Sequence, residues 1–219
     1  MGPRHFLVLG AGVVGVTTAY KLAANGHRVT VVDAEDRAAM VTSYANAGLL
    51  APAQGYAWAS PSAPGLMLRS LWRGDQAIRV RPRASWRQWR WMLRFLRECT
   101  AARHAANSAV TSALCQFSQL HMNRIVRETG VRYDAVQGGL MYIYRSSSGL
   151  ESADSKAAML RQRGIRLERM SGRDMLEVDP GLSRIAGDAA GGLYAPGDES
   201  GDAHLFTNAL VERAEAMGV

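Results

Sequence analysis

The stretch Phe6-Leu-Val-Leu-Gly10-Ala-Gly12-Val-Val-Gly15, with Arg28-Val-Thr-Val-Val-Asp33 after it, decides the fold. An apolar run of strand length meets three glycines in G-x-G-x-x-G spacing. A helical pattern follows over 13–25, Asn25-Gly26 stops it, and a second β-branched strand ends on a carboxylate. This is a βαβ unit for a dinucleotide. Gly10 permits the tight turn, Gly12 lets backbone approach a pyrophosphate, and Gly15 lets the helix pack closely on the sheet. Phosphates would sit on the helix N-terminus, where unpaired N–H groups and the dipole favour anions. Asp33 stands about twenty residues past the glycines, where a carboxylate accepts ribose hydroxyls. It would repel a 2′-phosphate, so FAD or NAD is favoured over NADP. Arg4 and His5 precede an apolar stretch, but the embedded glycines argue against a secretory signal.

Working outward, the 219 residues suffice for one large domain or two small ones. No stretch approaches the roughly 20 apolar residues that cross a bilayer. Cys99 and Cys115 lack metal-ligand spacing and read as buried thiols of a reducing compartment. The net charge of +7 rests on arginine, with Lys21 and Lys156 as the only lysines.

The small residues of Thr42-Ser43-Tyr44-Ala45-Asn46-Ala47-Gly48 would let backbone approach a flat ligand, or form a plain polar loop. A Pro-, Ala- and Ser-rich loop follows over 56–65. Helices are expected at 66–71, 85–104 and 108–128, the last burying a face of Leu114, Phe117, Leu120 and Ile125. Strands are expected at 139–145, 165–170 and 191–195, and helices at 152–163, 172–178 (capped by Ser171 and stopped by Pro180) and 203–217. Between Arg69 and Arg103 lie ten arginines, interleaved with Trp72, Trp86, Trp89 and Trp91 and opposed only by Asp75 and Glu98. That segment suits an anionic membrane surface, or is a solvated helix face whose tryptophans are core. A nucleic-acid contact is disfavoured because no nucleic-acid module accompanies the charge.

The glycine fingerprint, the 42–48 segment, the Trp58/Pro61/Pro64 loop, Gln137-Gly138-Gly139 before a strand and Asp198-Glu199-Ser200-Gly201-Asp202 before Leu205-Phe206-Thr207 fall in one order. In that order the chain resembles, over its whole length, the N-terminal portion of the FAD-dependent D-amino-acid dehydrogenase small-subunit family, within the glycine oxidase and D-amino-acid oxidase superfamily. Position 41 departs from the pattern, being Val where the family tends to be polar.

The resemblance implies an α/β fold: a Rossmann-like FAD-binding βαβ unit with an inserted α+β substrate domain, the FAD sheet incomplete in this chain. The implied division is 1–52 for the βαβ unit and flavin-contact loop, 53–195 for the substrate domain (helical over 66–128, strands and helices over 133–195), and 196–219 for the return segment. FAD would be held by Gly10, Ala11, Gly12, Val13, Val14 and Gly15 at the pyrophosphate, Asp33 at the adenosine ribose, and Ser43, Asn46, Ala47, Gly48 and Leu49 at the phosphates and flavin edge. The implied reaction is oxidative deamination of a D-amino acid to a 2-oxo acid and ammonia. Electrons would pass to a respiratory acceptor, with the enzyme cytoplasmic and peripheral on the inner face of the cell membrane. Family members continue well past position 219, carrying the substrate-carboxylate arginine there. A missing C-terminal half or second subunit is therefore expected, and no catalytic residue is named. The alternatives are a non-catalytic truncated FAD-binding fragment, a glycine/sarcosine-type amine oxidase and, less favoured, an NAD-dependent reductase.

Overall fold

A computed structural model of the chain describes residues 2–72, 81 and 83–219. The chain divides into two compact units, one of residues 2–51, 117–140 and 196–219, the other of the described residues in 52–116 and 141–195.

In the first unit β1 (His5–Leu9) and β2 (Arg28–Val32) form a parallel pair in the register His5↔Arg28 to Leu9↔Val32, joined through α1 (Val13–Ala24). β3 (Leu49–Leu50) pairs antiparallel with β7 (Glu199–Ser200), two short strands inside segments expected to be loop. The helix α7 (Ala203–Glu215) starts at Asp202, whose side chain accepts from Leu205 N–H at 2.9 Å. It packs on α1, and the core joins Val16 and Tyr20 to Phe206, Leu210 and Ala214, with Ile125, Val131 and Tyr133. The Tyr133 and Phe206 rings meet edge to face with centroids 5.5 Å apart.

The β1–β2 sheet is covered unevenly. Val29 is buried and Phe6 and Val8 half-buried on one face, whereas on the other Leu7 is 62%, Leu9 77% and Val32 48% exposed. Parallel sheets are ordinarily buried on both faces. The sheet in this chain is thus a fragment of the full fold, as the resemblance implies.

The second unit is built on a three-stranded sheet in the order β4 (Leu140–Tyr144), β6 (Gly191–Ala195), β5 (Glu168–Met170), with β5 and β6 antiparallel. α5 (Ser147–Arg161) contributes Leu150, Ala157 and Leu160 to a core shared with Ala53, Ile165, Leu167, Leu193 and Ala195. It starts five residues before the expected 152, because Ser146 accepts from Gly149 N–H and opens the helix there. α6 (Gly172–Val178) has the Ser171 cap anticipated from sequence, completed into a capping box by Asp174. The remaining helices are α2 (Ala63–Arg69), α3 (Trp86–Glu98) and α4 (Ala101–Thr129).

Two expectations are corrected here. The break expected at 105–107 lies at 99–100, because Thr100 accepts from the N–H groups of Arg103 and His104 and starts a helix that continues uninterrupted to Thr129. The buried face of α4 is not the apolar stripe: Leu114, Phe117 and Leu120 are exposed and only Ile125 is buried. What faces inward is the fully buried pair Ser108 and Ser112. A Cβ on Gly55 would stand 2.9 Å from Ser112 Cα, and Ser108 Oγ accepts from Ala57 N–H at 2.9 Å. Small side chains admit the 52–57 backbone against the helix, and bulk would not. Residues 117–140 group by compactness with the glycine-rich unit, where Ile125, Val131 and Tyr133 share its core. Cys99 is buried and Cys115 half-buried, and neither is in a disulfide among the described residues.

Candidate dinucleotide site

The site grows from the turn between β1 and α1. Gly10 has φ 103°, a conformation that a side chain strains, and its N–H donates to Val32 O at 2.7 Å. Gly15 is required by contact: a Cβ there would lie 1.8 Å from Gly10 O. Gly12 stands as the extended residue before α1, and a Cβ on it would come within 3.2 Å of Ser43 Oγ. The turn is thereby a concave strip of backbone bounded by Ser43 and by Asp33.

Asp33 braces that turn. Its Oδ2 accepts a short bond from Ala11 N–H, and its Oδ1 accepts from Glu35 N–H at 2.9 Å. These bonds, the Ala11 bond foremost, hold its carboxyl below the ordinary carboxylate value. The anion therefore persists at any physiological pH. Ser43, buried, accepts from Val13 N–H at 3.0 Å, which fixes the loop after β2 against the first turn of α1. The same loop is tied twice at Ala39, whose N–H donates to Ala11 O at 3.0 Å and whose carbonyl lies 3.2 Å from His204 Nδ1.

Two cavities open beside this strip. One, of about 270 Å³, is lined by Ala11, Val31, Asp33, Glu35 and Arg37 with the α7 residues Val211 and Ala214. The other, of about 410 Å³, brings together Val13, Asn46, Ala47, Gly48 and Leu49 with Tyr133, Gly201 and Phe206. Gly48, at φ 60°, is pressed against Gly201, so that a Cβ would meet Gly201 O at 2.2 Å, and Gly201 N–H donates to Gly48 O at 2.8 Å. Asn46 Oδ1 accepts from Gly48 N–H at 2.7 Å and shapes the bend. Of the expected residues, Asp33 and Ala11 thus line one cavity and Val13 and 46–49 the other. Gly10, Gly12, Gly15 and Ser43 lie in the strip, and Val14, 78% exposed, stands in the first turn of α1. The set suits a long anion that runs across the glycine turn with a ribose toward Asp33.

Sequence reading missed the group that holds β7. Glu199, buried, accepts from Gln119 Nε2 and Asn123 Nδ2 at 2.9 Å each and from Gln137 Nε2 at 3.2 Å. Gln119 also donates to Gly197 O at 2.7 Å. Burial, then the Glu199 charge, push the nearby Tyr133 hydroxyl above its ordinary value, so that it stays protonated. The Asp198–Asp202 motif was the available signal, but its amide partners lie 62 to 80 residues away.

Residues 5–219 match the family model described as DAO, FAD dependent oxidoreductase. The chain belongs to this family. A D-amino acid dehydrogenase of Azorhizobium caulinodans is 40% identical over 215 residues, covering 98% of this chain and 52% of the relative. D-amino acid dehydrogenase 2 of Mesorhizobium japonicum is 44% identical over 214 residues, covering 97% and 51%. This DAO-family chain therefore spans about half the length of the curated relatives it matches. Among solved structures, glycine oxidase from Geobacillus kaustophilus superimposes with a TM-score of 0.60 at 21% identity, covering 99% of this chain and 46% of that one. An L-alpha-glycerophosphate oxidase from Mycoplasma pneumoniae with FAD bound gives 0.57 at 17%, covering 99% and 44%. At these identities the likeness is one of fold.

Proposed function

We propose that this chain forms the dinucleotide-gripping half of an FAD-dependent D-amino-acid dehydrogenase that oxidises D-amino acids to 2-oxo acids and ammonia. The observation that carries the reading is the glycine strip between Asp33 and Ser43, set in a chain whose relatives bear that enzyme name. In this reading Gly10, Ala11, Gly12, Val13, Val14 and Gly15 hold the pyrophosphate, with the first N–H groups of α1 facing its charge. Asp33 accepts from the adenosine ribose, keeping the bond from Ala11 on one oxygen and having lone pairs to spare. Ser43, Asn46, Ala47, Gly48 and Leu49 line the way to the flavin, and the amide-held Glu199 keeps that wall in place through the β3–β7 pair. Bound FAD supplies the two-electron acceptor for the substrate α-carbon. The protein's share is placement, charge and exclusion of water.

The uncovered face of Leu7, Leu9 and Val32 supports a further part of the reading, that additional strands, from a C-terminal half or a second subunit, complete the sheet. The domain assignment 53–195 as substrate-binding stays part of this proposal. The location proposed is the inner face of the cell membrane. On α3, Trp86, Trp89, Leu93 and Leu96 form an exposed apolar stripe at helical spacing, and Arg87, Arg90, Arg94 and Arg97 form a parallel one beside it. Arg73 and Arg79 of the basic segment lie outside the described residues. Among the described residues no helix is long and apolar enough to cross a membrane.

Dye reduction tests the reading. Little or no turnover of D-alanine is expected from the 219-residue chain by itself, and turnover is expected once a relative's C-terminal half is supplied. Robust turnover by the chain alone, or none in any complemented form, would contradict it.

A further inference from the structure

The second unit holds a cavity of about 270 Å³ that the flavin reading does not use. Its floor is apolar: Leu160, Leu167 and Leu193 are all buried. Its polar wall is made of Gln54, Tyr56, Tyr142, Tyr144, Ser152 and Lys156, and among the described residues no carboxylate lines it. Tyr56 donates to Gln54 Oε1 at 2.6 Å. That bond occupies the carboxamide oxygen and leaves the Gln54 NH₂ free to donate. Burial, then Tyr56, raise the Tyr144 hydroxyl above its ordinary value, so it is protonated and able to donate.

Lys156 is one of two lysines in the chain, half-buried and with neither an ion pair nor a hydrogen bond among the described residues. The other, Lys21, pairs with Glu128 at 3.3 Å. Neither of the two acids of this helix serves Lys156: Asp154 accepts from Arg161 at 2.6 Å and lies 3.7 Å from Arg169, and Glu151 makes no ion pair among the described residues. A half-buried ammonium at the rim of an apolar cavity, facing donors and no acceptor charge, is electrostatically incomplete. A ligand that completes it carries one negative charge, to match one ammonium. It has two acceptor oxygens, to meet the ammonium and the Gln54 and Tyr144 donors together. It also has an apolar body for the leucine floor. Inorganic phosphate fits poorly, since its second charge finds no cation and its oxygens would face leucines.

We propose that this cavity is a binding site for a small organic monocarboxylate with a branched or aromatic tail, its carboxylate on Lys156 and its tail on Leu160, Leu167 and Leu193. The site lies within one unit and needs no flavin, so it stands or falls separately from the reading above.

The test is calorimetric titration of the 219-residue chain with isovalerate and with benzoate. Isovaleramide, benzamide and inorganic phosphate serve as the comparison ligands. Saturable one-to-one binding of both acids is expected, with the amides and phosphate weaker by about tenfold or more, the weight of one charge-assisted bond. Lys156→Met should weaken benzoate by about tenfold to a hundredfold, whereas Lys156→Arg keeps it within a few-fold. Absence of saturable acid binding to the unaltered chain would overturn the proposal. So would amides or phosphate binding as well as the acids, or benzoate binding that survives Lys156→Met.

Discussion

Replacing Gly15 by Ala adds one methyl group at the closest approach of helix to strand. That carbon would lie 1.8 Å from Gly10 O and 2.9 Å from Gly10 C, where ordinary contact begins at 3.4 Å, so α1 and the turn must part by about 1.6 Å. Both atoms are backbone, so no side-chain rotation relieves the clash. Forcing extra carbon into packed structure costs about 1–3 kcal/mol, and the upper end applies here. Against that, Ala is favoured over Gly inside a helix by about 1 kcal/mol. The expected net loss is about 2 kcal/mol, a fall in Tm of roughly 4–8 °C for a chain of this size. Gly65→Ala in α2 is the matched control, since among the described residues an added Cβ there would meet only the flexible tip of Arg69, at 3.8 Å. That variant should gain up to about 1 kcal/mol. Urea unfolding followed by far-ultraviolet circular dichroism reads both. If Gly15→Ala proves as stable as the unaltered chain while Gly65→Ala behaves as expected, the helix does not pack on the turn as described, and the shape inferred for the site is wrong.

Other outcomes follow from single groups. Asp33 has a folded pKa below its ordinary 3.8, so the stability it contributes is present above that value and lost as pH falls through the folded one. The gap in thermal stability between the unaltered chain and Asp33→Asn should therefore be constant at pH 5–7 and close below about pH 4; a gap that does not narrow in acid would remove the Ala11 and Glu35 bonds from the account. Glu199→Ala, which strands three amide donors, should destabilise by about 2–4 kcal/mol in urea, and a neutral result would mean that the buried carboxylate is not held as described. Sedimentation with vesicles should favour anionic over neutral lipid and weaken with salt, because the Debye length is only about 10 Å at 0.1 M. Equal sedimentation with both would return the arginine face of α3 to plain solvation.

How much of this was legible in the sequence depends on the reach of each interaction. The β1–α1–β2 unit was legible because its signals are local: strand and helix periods, and three glycines whose spacing encodes one turn. The Ser171 cap was legible for the same reason. The start of α5 was missed because Ser146 lies within a run of serines, Ser146 to Ser148, any of which could cap. The inward face of α4 was misread because apolar spacing points to Leu114, Phe117 and Leu120, whereas backbone packing selects Ser108 and Ser112. Period alone does not register a helix that packs through its small residues. At the site, Asp33 and Ser43 could be named from sequence, but their bonds to the Ala11 and Val13 N–H groups could not, since these involve backbone 22 and 30 residues away. Glu199 was hidden for the same reason, its partners coming from α4 and from the segment before β4.

Binding of FAD to the purified 219-residue chain, followed by flavin fluorescence, tests the central claim most directly. The chain should bind FAD saturably, and ADP should compete for the part held by the glycine strip and Asp33. Gly12→Val should abolish binding, because its side chain fills the strip beside Ser43. FAD that binds Gly12→Val as well as the unaltered chain, or that ADP does not displace, would contradict the assignment of this turn as the dinucleotide site.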